Sequence, residues 1–444
     1  MTEADTAEAA DHTDPPTAEP APRELTPAEA ALDRYRSRMR RSRIVYAAVI
    51  AVVVVALGVG VGIAWSHGEI AHVTLHTFAP PPSVGIEAPS PALQPVWRTS
   101  DRIAIGKPHL NGTIVTYGAH TVGGRDARTG KRTWSYTRTD RTVCTAAQLT
   151  NTTVAVFENR GHCDELTAFD SDTGRRRWTR TLDKDQQPII GATTYQVLSY
   201  TFMVTSDTTI YAIDPVTGLD RWTYYRYGCR IQRAVLGSAG ALVSQTCSPA
   251  VRCGKAKFCA TGPQLFLRDG SAGNGDDSDT NADHIKWLVR GSRSVPASAD
   301  QVLSAFAADG RALDVLASKD GAVSQQMPIS SGAATDPSEA LATGAGDIVW
   351  HAGKAYAINS GDSTPVWTAD AAGPPTIESL TNEDVPALRP ARITVPLSDG
   401  IGLIDGNDGQ LAQRFTATVP AGSRILSLGT GFLVTNAAGV VAYK

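Results

Sequence analysis

Two kinds of apolar pattern divide the chain. Residues 44–65 read IVYAAVIAVVVVALGVGVGIAW, 22 positions without a charge. That is enough for one helix to cross a bilayer core of about 30 Å at ~1.5 Å per residue. From about residue 94 onward the apolar residues come in short strand-like runs such as ELTAF and TIYAI, separated by turns rich in Gly, Asp, Thr and Pro. The first pattern predicts a single transmembrane helix over residues 44–65, and the second predicts an all-β body over 94–444. Between them, residues 66–93 hold Pro80, Pro81, Pro82, Pro89 and Pro91, which predicts a semi-extended stalk.

Self-similarity sharpens the second pattern. Residues 126–134 (DARTGKRTW), 170–178 (DSDTGRRRW) and 214–222 (DPVTGLDRW) share D-x-x-T-G-x-x-x-W at two intervals of 44 residues. The pattern predicts a hairpin. Asp126, Asp170 and Asp214 cap turn donors, Gly130, Gly174 and Gly218 take a positive φ, and Trp134, Trp178 and Trp222 start the outgoing strand. Weaker copies follow at Trp287, around Met327, at Trp367 and at residues 400–415, where Phe415 is the expected wedge. Two fragments remain: a lone strand around Trp97 and three strands in residues 423–444. Together they complete an eighth sheet, so strands from both chain ends close one ring. The expected fold is an eight-bladed β-propeller built on tryptophan-docking repeats; seven blades with an irregular terminal strand is the rival count.

Charge orients the chain. Residues 1–33 carry nine acids and one base, and residues 34–43 add Arg34, Arg36, Arg38, Arg40, Arg41 and Arg43. Positive-inside asymmetry places residues 1–43 in the cytoplasm, as a disordered tail with a basic juxtamembrane end, and the propeller outside. A cleavable signal peptide would have a shorter apolar core and an A-x-A-like site, whereas this run ends GIAWSHGE. The remaining body is almost neutral, which argues against nucleic acid as a partner. Arg outnumbers Lys 32 to 9, the composition expected of a GC-rich, for example actinobacterial, genome.

The segments AFDSDTGRRRW and AIDPVTGLDRW resemble the tryptophan-docking repeat of quinoprotein-type β-propellers, the pyrroloquinoline-quinone-like repeats. The resemblance covers residues 94–444 and itself implies eight blades. One branch of that family holds quinone- and calcium-binding dehydrogenases. The other holds non-enzymatic scaffolds, including the propeller lipoprotein of the bacterial outer-membrane barrel-assembly machine. The dehydrogenases carry adjacent cysteines facing the quinone and large funnel insertions. This sequence has no adjacent cysteines, and most of its repeats are short. The expectation is therefore the scaffold branch, without a cofactor.

All six cysteines follow the apolar run. Cys144 and Cys229 open their repeats at nearly the same place, and Cys163 and Cys247 follow 19 and 18 residues later. The expected disulfides are 144–163, 229–247 and 253–259, the last within CGKAKFC. The acidic stretch 269–284 alternates Asp277, Asp279, Asn281 and Asp283 but lacks the Gly and Glu of a calcium loop, so it reads as a solvated insertion. His67, His72 and His76 would share a face only on a helix, and no metal site is expected of them. Hydrolase, zinc-protease and nucleotide-loop motifs are absent.

The sequence thus predicts a single-pass membrane protein with an extracytoplasmic propeller. It would serve as an interaction scaffold for cell-envelope or membrane proteins, with no enzyme activity. The alternative is an extracytoplasmic ligand-binding or quinone-dependent redox module using the propeller funnel.

Overall fold

A computed structural model describes residues 26–67, 69–78, 89–106, 112–149, 151–182, 193–198, 200–249, 261–270, 284–329, 332–333, 338–343, 345–377, 392–428 and 431–444. They fall into two compact units, Met1–Ala71 and His72–Lys444.

The first unit contains one long helix, Pro27–His67. Thr26 and Pro27, a hydroxyl residue and one without an amide hydrogen, are residue types that start helices. The helix therefore opens inside the segment expected to be a disordered tail, and it runs unbroken through the arginines and the uncharged stretch. Val45, Tyr46, Val49, Ile50, Val55 and Leu57 of that stretch are exposed. Among the described residues no helix is long and apolar enough to cross a membrane; the side chains described within the stretch are those of residues 45–57 and 59.

The second unit is a ring of eight sheets. Blades 1–8 span residues 102–138, 143–181, 194–225, 229–290, 295–328, 338–370, 376–416 and 424–443, the last completed by the strand Pro95–Thr99. That strand pairs antiparallel with Gly439–Tyr443, and Gln94 and Lys444 exchange backbone hydrogen bonds of 2.9 and 3.0 Å. Eight hydrophobic clusters fill the eight junctions between neighbouring blades, including the one joining blade 8 to blade 1. The rival count of seven is excluded. Because each inner sheet is covered on both faces, strands such as Thr209–Ile213 are buried throughout rather than alternating.

The repeat works as its residue types require. Asp126, Asp170 and Asp214 each accept backbone N–H bonds from the second and third residues beyond, at 2.8–3.3 Å. Gly130, Gly174 and Gly218 hold φ of 69°, 69° and 75°. Each tryptophan then docks on the next blade. The indole N–H of Trp97, Trp134, Trp178, Trp222, Trp287 and Trp367 donates at 2.7–3.0 Å to carbonyls of Ala127, Ser171, Pro215, Gly270, Ser318 and Gly406. In five of the six, a positive-φ glycine lies directly under the ring, with Gly174 against Trp134 as the tightest-buried example.

Blades 5 and 7 depart from this rule. The residue paired where the other blades place Trp is Gln325 in blade 5 and Gln413 in blade 7. Phe415 is thus not the docking wedge; it lies two residues farther out and packs on Phe432, 5.0 Å between ring centroids. The facing turns have changed with it. Blade 6 holds Ser363 at φ 61° where a glycine otherwise sits, and blade 8 closes its hairpin by pairing Asn436 with Gly439. Without a ring overhead, the glycine is dispensable.

Within the expected stalk, Val73–Thr77 forms a fifth strand on blade 1, antiparallel to Arg132–Arg138 with Thr77 opposite Trp134. Further on, Leu93 donates to the Thr416 carbonyl at 3.3 Å, so the chain is laced to blade 7 before the closing strand begins.

Candidate functional site at the axial mouth

Strand order in each complete blade follows chain order, and the first strands of adjacent blades approach one another. First strands therefore line the axis and begin on one face, where each outer strand hands over to the next blade. The opposite face carries the tight turns and their docked tryptophans.

At the connector face, two contacts skip a blade. Arg233, on the first strand of blade 4 (Cys229–Gly237), donates through Nη2 to Ser338 O at 3.0 Å and Ser338 Oγ at 2.8 Å on blade 6. Arg424, which opens the first strand of blade 8, forms an ion pair with Glu339 of blade 6. Contacts between next-nearest blades bridge over the inner strand of the blade between them, so these two lie along the rim of the axial mouth. A register shift between Ile231 and Arg233 turns the latter out of the regular alternation. Burial holds both guanidinia below their ordinary pKa. Arg102 and Arg293, at the starts of blades 1 and 5, are exposed, and Arg230 is exposed beside Asp207 at 2.8 Å. Arg102, Arg230, Arg233, Arg293 and Arg424 thus stand at or near first-strand starts, and of these Arg230 pairs with Asp207 and Arg424 with Glu339.

The same face carries a second charged cluster on its periphery. Arg138, buried at the end of blade 1, binds Asp140 at 2.8 Å and Glu165 of blade 2 at 2.7 Å. Burial lowers its pKa, but Asp140 and Glu165 outweigh that and hold it above the ordinary value. Both described disulfides are also here, 144–163 and 229–247. Cys229 and Cys247 face each other directly across a hairpin, whereas Cys144 on the first strand of blade 2 reaches Cys163 on the third. Cys253 and Cys259 lie outside the described residues, as does 271–283 of the acidic insertion.

Two buried charges serve blade junctions. Asp347 of blade 6 accepts from Ser298 Oγ at 2.6 Å and the Val302 amide at 3.1 Å on blade 5. Burial pushes its carboxyl up to about 6. Arg268 lies over the Trp222 ring, 4.1 Å from its centroid, covering a docked indole where the insertion interrupts the usual turn.

His72 and His76 do not share a helical face. The former hydrogen-bonds Thr139 Oγ1 at 3.3 Å, and the latter pairs with Ser135 in the fifth strand of blade 1. Among the described residues no group of three or more His, Cys, Asp or Glu side chains could hold a metal ion. The axial arginines escaped sequence reading because their partners are 105 and 85 residues away and no other blade repeats them.

Comparison with known proteins agrees with the repeat. Residues 94–188 and 118–286 match the family model described as outer membrane protein assembly factor BamB. BamB from Moraxella catarrhalis is 15% identical, with 79% of this chain and 97% of that one covered and a TM-score of 0.46. The C-terminal WD40 domain of Sif2 is 10% identical over 79% and 97%, TM-score 0.46. A quinohemoprotein alcohol dehydrogenase from Pseudomonas putida HK5 is 11% identical over 79% and 76%, TM-score 0.41. No curated protein matches the chain.

Proposed function

We propose, from the BamB-type repeats of residues 94–286, that this protein is a protein-interaction scaffold of the bacterial cell envelope. In this reading the helix anchors it in the cytoplasmic membrane, with the N-terminus inside and the propeller outside. The anchor is supported by the 22-residue uncharged run inside one continuous helix and by the six arginines that precede it. Exposed Val, Ile and Leu along that helix would be costly in water and favourable in lipid. Two disulfides in the propeller fit an oxidising compartment.

The observation that carries the scaffold reading is the pair of contacts at the axial mouth. Arg233–Ser338 and Arg424–Glu339 tie side chains together along the rim of the mouth, which favours contact with a partner at that face over a small ligand held deep in the funnel. Protease added to intact, wall-stripped cells should digest the propeller and spare an N-terminal tag. Loss of the tag with survival of the propeller overturns the orientation.

A further inference from the structure

One cation at the axial mouth, Arg233, is largely withdrawn from water and faces neutral partners. Arg233 is held by hydrogen bonds from a single terminal nitrogen to two neutral oxygens of Ser338. Among the described residues it makes no ion pair, while Arg424 has Glu339. A guanidinium carries five N–H donors in a fork that matches a carboxylate. Desolvation without a counter-charge lowers its pKa, so an incoming anion would recover free energy that burial has cost. Arg102 and Arg293, at the starts of blades 1 and 5 on the same face, are exposed.

We propose that the connector-face mouth of this propeller binds an acidic peptide segment of a partner protein, with a Glu or Asp carboxylate engaging Arg233 and neighbouring acids meeting Arg102 and Arg293. This names the partner chemistry of the scaffold reading and rests on it. A peptide fits better than a small free acid because Arg233 and Arg424 are already drawn to the rim by Ser338 and Glu339. The ligand must therefore reach the arginines from outside, as a protruding side chain on an extended backbone does. The spread of positive charge over blades 1, 4, 5 and 8 also calls for several linked carboxylates rather than one.

The test uses the full chain in detergent micelles and a fluorescent deca-glutamate peptide followed by anisotropy. Saturable binding is expected, weakening at least tenfold between 50 and 300 mM salt as roughly three contacts are screened. The double reversal Arg102→Glu/Arg293→Glu should weaken binding at least tenfold without changing the melting temperature, since both residues are exposed. Arg233→Gln should do the same while retaining a donor for Ser338. Reversal of exposed Lys131 on the opposite face should have no effect. Equal loss from Lys131→Glu, or no binding at all, overturns the proposal. So does displacement by millimolar inorganic phosphate, or stronger binding to phosphatidylglycerol vesicles through the same arginines. If the peptide fails while propeller crosslinks to envelope proteins persist in cells, this site is wrong and the scaffold reading stands. If both fail, the scaffold reading falls as well.

Discussion

The junction of blades 1 and 2 gives the sharpest test of how the repeat builds the ring. Gly174 sits at φ 69° under the fully buried ring of Trp134, and a Cβ there would lie 2.6–2.8 Å from three ring atoms. The ring cannot retreat readily, because its N–H is bound to the Ser171 carbonyl at 2.7 Å and Phe169 packs 5.7 Å away. Gly174→Ala therefore carries two costs. The left-handed conformation costs an alanine about 1–2 kcal/mol. Forcing the overpacked ring aside adds about 1–3 kcal/mol. Gly161→Ala supplies the control, since Gly161 has φ 84° but nothing within 4 Å of a Cβ; it should show the conformational cost alone. Ser363→Ala, at φ 61° where blade 5 offers Gln325 instead of Trp, should be near neutral. Equilibrium urea unfolding of the detergent-solubilised chain, read by tryptophan fluorescence, gives the three values. If Gly174→Ala is no more destabilising than Gly161→Ala, the ring is not held on the glycine and the docking argument fails.

Other consequences follow from single sites. Burial raises the Asp347 carboxyl to about 6 in the folded chain, so its contribution is complete below the unfolded value near pH 4 and is lost as pH rises through 6. Relative to Asp347→Asn, the wild type should lose about 2 kcal/mol between pH 4 and 7; parallel unfolding-versus-pH curves for the two would contradict this. Non-reducing peptide mapping should recover 144–163, 229–247 and 253–259, and Cys229→Ser should cost about 2–4 kcal/mol. Six free thiols would refute the oxidising compartment. Purified chain given pyrroloquinoline quinone and calcium should show neither saturable quinone absorbance nor alcohol-dependent dye reduction, whereas a stoichiometric, dye-reducing complex would favour the redox alternative.

What could be read in the sequence was what repeats. Asp, Gly and Trp recur at fixed spacing because every junction asks the same question of the backbone, and the ring size, its closure through Pro95–Thr99 and both described disulfides follow from that spacing. Phe415 misled because aromatic character was read without register: the eight-residue spacing from Asp405 lands on Gln413, while the buried Phe belongs to the adjacent core. The strand Val73–Thr77 was hidden for a different reason. Its side chains are mostly exposed, so it leaves no hydrophobic signature, and its place is set by backbone pairing with blade 1. The axial mouth was invisible because a register shift takes Arg233 out of the regular alternation and its partner Ser338 stands two blades away.

The most direct test of the account is site-specific photo-crosslinking in living cells. A photoreactive amino acid replaces Tyr227, which is 80% exposed on the connector between blades 3 and 4, and adducts are identified by mass spectrometry. The account predicts discrete adducts with exported envelope proteins, lost when Arg102 and Arg293 are reversed to Glu. Adducts with cytoplasmic proteins, or none above the level of an unsubstituted chain, would contradict it.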